Sequence, residues 1–129
     1  MNSLHQISHD EPLPQPTVHG ATVFTMEQLA VFLDTLRNTP EGDGNLLDNC
    51  SILCTSELSD GWRHSNEDFP ILIAGKGGGR LRGGVHYRSA SKENTSRAVL
   101  TALTGGGVMV DHFGHEAGRV TQTIGELEV

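Results

Sequence analysis

Cysteine is scarce in this chain of 129 residues, and its placement excludes a disulfide bond. The two cysteines, Cys50 and Cys54, lie four residues apart within one apolar run. If that run is a β-strand, their Cα atoms are ~13 Å apart, which is too far for a disulfide. We therefore expect two free thiols that pack in the core, and cysteine content leaves the redox compartment open.

Aromatic residues and long hydrophobic runs are also scarce. Tryptophan, tyrosine and phenylalanine together number six, so the core must be mostly aliphatic. No stretch approaches the ~20 consecutive apolar residues of a membrane-spanning helix. The chain also lacks a basic segment followed by an apolar one at its start, which is the pattern of a signal peptide. The sequence predicts no membrane span and no signal peptide, and it leaves the localisation unknown.

Basic residues are outnumbered. Nine lysines and arginines face sixteen aspartates and glutamates, which gives a net charge of −7. This balance disfavours non-specific binding to nucleic acid or to anionic membranes. Five of the nine basic residues nevertheless lie between Lys76 and Lys92, so a local site for an anion remains open.

The chain divides into an arm and a folded region. Residues 1–20 are polar and interrupted by three prolines, which predicts a loop or an extended arm. Residues 21–129 carry the alternation of helical and strand patterns that is typical of an α/β domain. A first helix is predicted over Thr25–Asn38, where Thr25 and Gln28 form a capping box. Its apolar stripe follows the spacing i, i+3, i+4, i+7 and consists of Leu29, Phe32, Leu33 and Leu36.

Two strands are predicted at Ser51–Ser56 and Pro70–Ala74, adjacent and central in a sheet that the first helix covers. Polar residues follow the first strand, and ligands of α/β sheets bind beyond the carboxyl ends of strands. The glycine-rich stretch Gly75–Gly84 lacks the order GxxxxGK[ST] of a phosphate-binding loop. We interpret it as a turn in which glycines permit positive φ and close backbone approach.

The candidate ligands are histidines and acids in the arm and in the polar loop. Glu57 and His64 follow the first strand, and carboxylate oxygen and imidazole nitrogen both suit Zn²⁺ and other divalent ions. The alternative is a solvated loop, because a glutamate and a histidine at this spacing form no standard signature. His5, His9 and Asp10 form a denser cluster in the arm. By itself, that cluster is equally compatible with a flexible terminal segment.

Several stretches of the chain resemble one family of proteins. The motif HQISHD at residues 5–10 is followed, in the expected order, by four further stretches of similarity. These stretches are residues 27–36, 40–49, 56–61 and 69–79. Together they resemble the carboxyl-terminal part of the HxxSHH family, bacterial proteins of unknown function that are usually exported. The last histidine of the family motif is Asp10 in this chain.

The resemblance implies a fold and a metal site. The family is grouped with alkaline-phosphatase-like and sulfatase-like proteins, which implies the carboxyl-terminal portion of a three-layer α/β sandwich. In sulfatase-like chains an acid after the equivalent strand binds metal, which places Glu57 at the ligand position. The implied ligand set is Glu57, His64, His9, Asp10 and His5, and the implied cofactor is a divalent ion such as Zn²⁺, Ca²⁺ or Mn²⁺.

Two functional classes follow from the resemblance. The first is the metal-site half of a hydrolase-like domain that acts on phosphate or sulfate esters. The second is a non-catalytic, exported binding or surface-associated protein on the same scaffold. Family members are several times longer, so the chain is expected to be a fragment without the amino-terminal half of the domain. It is then expected to be inactive alone, and its unprotected sheet edge predicts self-association.

Overall fold

The computed structural model describes residues 3–129, which form two compact units. Unit 1 comprises residues 3–35 and 56–70, and unit 2 comprises residues 36–55 and 71–129. The mixed α/β class is confirmed. The helices are α1 (Leu4–Asp10), α2 (Pro16–Arg37), α3 (Leu46–Asn49) and α4 (Ser96–Gly105). The strands are β1 (Pro40–Glu41), β2 (Gly44–Asn45), β3 (Ile52–Thr55) and β4 (Ile71–Ala74). No helix within residues 3–129 is long and apolar enough to cross a membrane.

The arm is helical in unit 1, where the sequence predicted a loop or an extended segment. Ser3 caps α1, because its hydroxyl oxygen accepts a hydrogen bond from the backbone N–H of Gln6 at 3.2 Å. The Glu11 carboxylate then caps α2 by accepting the backbone N–H groups of Thr17 and Val18 at 3.0 and 3.1 Å. The prolines separate two helices here, and a proline at the first position of a helix is favourable.

Helix α2 begins at Pro16 rather than at the predicted Thr25. Thr25 lies inside the helix, and its hydroxyl donates to the backbone carbonyl of Ala21 at 2.9 Å. The predicted stripe has the right phase, since its three leucines are half-buried, but Phe32 is 50% exposed. No residue between Pro16 and Arg37 is buried. The expected burial of this stripe on a sheet face is therefore not found.

Strands β3 and β4 are adjacent, as predicted, and they pair antiparallel from Ile52–Ala74 to Thr55–Ile71. Within residues 3–129 this sheet has two strands, so neither strand is central. An apolar run indicates that a strand is covered, but it does not indicate the direction of the neighbouring strand. Helix α4 contacts β3, and the Ser51 hydroxyl donates to the carbonyl of Ala102 at 2.7 Å.

The glycine-rich turn after β4 is a close-packed connection, as interpreted from the sequence. Gly75 has a φ of +98°, and a Cβ atom there would lie 2.1 Å from the carbonyl oxygen of Cys50. Gly77 has a φ of +53°, and a Cβ atom there would lie 2.3 Å from the carbonyl oxygen of Gly105. Any larger residue would collide with the backbone at both positions, so the glycines are required by packing.

The buried part of unit 2 surrounds α4. Its buried apolar side chains are Leu81, Ala98, Leu100, Ala102 and Ile124. Thr101 is completely buried among them, and its hydroxyl donates to the carbonyl of Arg97 at 2.7 Å. The same oxygen accepts the backbone N–H of Ile124 at 2.8 Å. Thr101 therefore fastens the carboxyl-terminal segment of the chain to α4.

Replacing Thr101 with valine should lower the free energy of unfolding by about 1–3 kcal/mol, because the buried N–H of Ile124 loses its acceptor. Thr101→Ser keeps the hydroxyl and should lose less. Urea unfolding followed by circular dichroism measures both changes. Equal stability of the valine variant and the parent chain would contradict the assigned role.

Gly105→Ala should also destabilise unit 2. A Cβ atom at Gly105 would lie 2.6 Å from Cγ of the buried Leu81, and overpacking a core costs about 1–3 kcal/mol. Gly125→Ala is the matched control, because nothing lies within 4 Å of its Cβ position. In the same urea titration, Gly105→Ala should unfold at a lower urea concentration than Gly125→Ala. Indistinguishable midpoints would refute the packing argument.

Candidate functional site

Helix α1 places two histidines on one of its faces. His5 and His9 are four residues apart, and side chains at this spacing are neighbours on a helix surface. Their ring centroids are 4.9 Å apart, with the rings nearly perpendicular. The Ser8 hydroxyl, which lies between them in sequence, donates back to the carbonyl of His5 at 2.7 Å.

The loop at residues 56–70 is closed by its own hydrogen bonds. Ser59 donates to the carbonyl of Ser65 through both its backbone N–H, at 2.9 Å, and its hydroxyl, at 2.7 Å. The Asp60 carboxylate accepts the backbone N–H groups of Arg63 and Trp62 and also pairs with the Arg63 guanidinium. The hydrogen bond from the backbone of Arg63 is the main cause of a lowered pKa at Asp60. Asp60 therefore stays ionised and shapes the tip of the loop.

A third histidine, His64, lies at the closed tip of the loop and next to the first two. His64 has a φ of +51°, a left-handed conformation in which histidine is more common than most residues. Its Nε2 atom lies 3.2 Å from Nε2 of His9. The ring centroid of His64 is 4.9 Å from that of His9 and 6.5 Å from that of His5. We call His5, His9 and His64 the histidine cluster.

Small residues allow the loop to approach α1 beside this cluster. A Cβ atom at Gly61 would lie 3.4 Å from the hydroxyl oxygen and 3.5 Å from Cβ of Ser8. These are ordinary van der Waals distances, so the backbone of the loop tip rests directly on a short side chain of the helix. A long side chain at either position would hold His64 away from His9.

The two predicted acidic ligands are not part of the cluster as it stands. Asp10 is exposed, and its carboxylate accepts a hydrogen bond from the side-chain amide of Gln6 at 2.7 Å. Glu57 is exposed at the start of the loop. Among residues 3–129 no hydrogen bond or ion pair joins either acid to His5, His9 or His64. The structure thus brings together His5, His9 and His64 of the predicted set.

The chemistry of the cluster fits a divalent transition metal. Neutral imidazole nitrogens bind Zn²⁺ at ~2.0–2.1 Å, and two ligands of a tetrahedral ion are then ~3.3 Å apart. The Nε2 atoms of His9 and His64 are separated by 3.2 Å, which is close to that value. The same distance also suits a hydrogen bond in which one Nε2 carries a proton. Within residues 3–129, no three potential ligand side chains are already arranged to hold an ion together.

Asp48 lies in the stretch 40–49 that contributed to the family resemblance, and it has a structural role in unit 2. Asp48 and the Asn45 cap of α3 form a capping box, in which each side chain accepts the other's backbone N–H. The Asp48 carboxylate also pairs with the Lys76 ammonium at 2.7 Å, and this hydrogen bond is the main cause of a lowered pKa at Asp48. This acid therefore holds α3 against the glycine-rich turn.

Sequence reasoning missed the parts of the site that position the histidines. The i, i+4 spacing of His5 and His9 carries meaning only once the arm is a helix, and the Ser3 cap was a signal for that helix. The dipeptide Asp60–Gly61 is a turn signal and marked the loop tip. No family model, no curated protein and no solved structure matches this chain.

Proposed function

We propose that this chain binds a divalent transition-metal ion through His5, His9 and His64. The observation that carries the proposal is the separation of 3.2 Å between the Nε2 atoms of His9 and His64, which come from segments 55 residues apart in the sequence. Two of the three rings are exposed and His9 is half-buried, so an ion can enter from solvent. Three protein ligands leave coordination positions for water or another small ligand.

Among the ions that the sequence suggested, Zn²⁺ fits this donor set best. Imidazole nitrogen suits zinc and similar first-row ions, whereas Ca²⁺ takes oxygen ligands almost exclusively. Mn²⁺ also favours carboxylates, and the Asp10 carboxylate is engaged with Gln6. A carboxylate could still complete the shell, since Asp10 follows His9 directly in the chain.

We further propose that the chain is the metal-bearing portion of an alkaline-phosphatase-like three-layer sandwich of the HxxSHH type. The support is that the HxxSH motif and His64, which the resemblance implied as partners, lie together in unit 1. Such an ion supplies Lewis acidity, which polarises an ester oxygen and lowers the pKa of bound water. His5, His9 and His64 would hold it.

Two hydroxyl groups near the site favour binding without turnover. The Ser8 hydroxyl donates to the carbonyl of His5, and the Ser59 hydroxyl donates to the carbonyl of Ser65. A serine nucleophile needs an adjacent base that accepts its proton, and neither hydroxyl donates to one. Between the two functional classes, this geometry favours the non-catalytic binding protein over the hydrolase-like domain.

Isothermal titration of the chelator-treated chain with Zn²⁺ should give one ion per chain. His9→Ala and His64→Ala should each weaken binding at least tenfold, because even partners outside the ligand shell contribute about 10- to 100-fold to affinity. His115→Ala is the control, since that side chain is 89% exposed in unit 2. Unchanged affinity in the His9 and His64 variants would contradict the proposed site.

The isolated chain should show no metal-dependent hydrolysis of aryl phosphate or aryl sulfate in the presence of Zn²⁺, Mn²⁺ or Ca²⁺. The physical reason is the engagement of the nearby hydroxyls described above. Release of the chromogenic phenol is the measurement. Turnover that depends on metal and disappears in Glu57→Gln would restore Glu57 as a ligand and make the chain an enzyme.

A further inference from the structure

Unit 1 lacks a hydrophobic core of its own. Among residues 3–35 and 56–70 none is buried, and large apolar side chains such as Phe24 and Trp62 are 61% and 48% exposed. Both cysteines belong to unit 2, and both are free, so no disulfide ties the segments of unit 1. Folded units of this small size usually depend on disulfides, metals or association for their stability.

Two contacts between the segments of unit 1 are made by polar or small residues. Helix α1 and loop 56–70 come together at the contact of Ser8 with Gly61 and at the histidine cluster. Neither contact removes a large apolar area from water, so the hydrophobic effect contributes little to these two contacts. A single hydrogen bond between two imidazoles is a weak link between segments that are so far apart in the chain.

Each segment is nevertheless ordered by its own hydrogen bonds. The Ser3 cap and the backbone bonds of α1 set the spacing of His5 and His9. The bonds of Ser59 and Asp60 set the shape of the loop tip that carries His64. A metal ion with ligands on both pieces would add a link between these two ordered pieces.

We infer that ion binding and the docking of loop 56–70 on α1 are coupled, so that a bound metal ion strengthens the docking of the loop. This inference rests on the proposed metal site and adds its regulation. Ser8 and Gly61 are positioning residues, because their small size lets the loop tip reach the helix. Availability of the ion then shifts unit 1 towards the assembled site.

Hydrogen–deuterium exchange of the full chain, with and without Zn²⁺, tests the coupling. With free Zn²⁺ at a hundred times its Kd, linkage permits up to about a hundredfold slower exchange of amides that are protected only in the docked state. We expect slowing in peptides from residues 56–70 and 4–10, and none in α4 of unit 2. His64→Ala should abolish the slowing, and His115→Ala should preserve it.

The positioning residues provide a second, graded readout. Gly61→Ala should retain Zn²⁺ affinity, because its Cβ atom would meet Ser8 at ordinary contact distance. Gly61→Leu should weaken Zn²⁺ binding at least tenfold while leaving the helical circular dichroism of the chain unchanged. Equal affinity of the alanine and leucine variants would overturn the role assigned to this contact.

The outcomes separate the inference from the proposal beneath it. If Zn²⁺ binds with the expected dependence on His9 and His64 but exchange in residues 56–70 does not change, the coupling is wrong and the metal site stands. If Zn²⁺ does not bind, both are wrong. Slowing of equal size throughout both units would also overturn the inference, because it would indicate general stabilisation rather than docking of one loop.

Discussion

Close backbone approach at a few glycines is the constraint on which unit 2 depends. The turn after β4 passes so near the backbone of Cys50 and of Gly105 that Gly75 and Gly77 have no room for a side chain. Leu81 then covers Gly105, and the carboxyl-terminal segment is fastened beside it through Thr101. A small set of side chains therefore suffices for a core, because backbone segments fill part of the space that side chains fill elsewhere.

Hydrogen bonds limit the freedom of the loop that carries His64. Thr55 and Ile71 are paired in the antiparallel ladder, so the two ends of loop 56–70 are held side by side. Inside the loop, the bonds of Ser59 and Asp60 form a second closure around residues 60–65. The hydrogen bonds that precede and follow His64 thus limit its freedom, while its ring remains exposed for binding.

Unit 1 is organised by different interactions. Its helices begin at polar caps supplied by Ser3 and Glu11, and local hydrogen bonds rather than buried apolar area define its segments. A ligand that joins the parts of such a unit should increase its stability by a large fraction. A metal site at the junction of α1 and the loop would couple metal binding to the ordering of unit 1.

The sequence by itself determined the mixed α/β class, the adjacency of the strands near Ile52 and Ile71, and the structural nature of the glycine-rich turn. These features depend on local patterns of apolar residues and on backbone freedom, which neighbouring residues in the chain decide. The start of α2 was also encoded locally, in Pro16 at the first helical position, although the prolines were interpreted as breakers. Only the tertiary structure decided the antiparallel direction of the two strands and the meeting of His9 with His64. Both depend on contacts between distant segments, and a residue pattern along the chain does not specify which distant partner a side chain will meet.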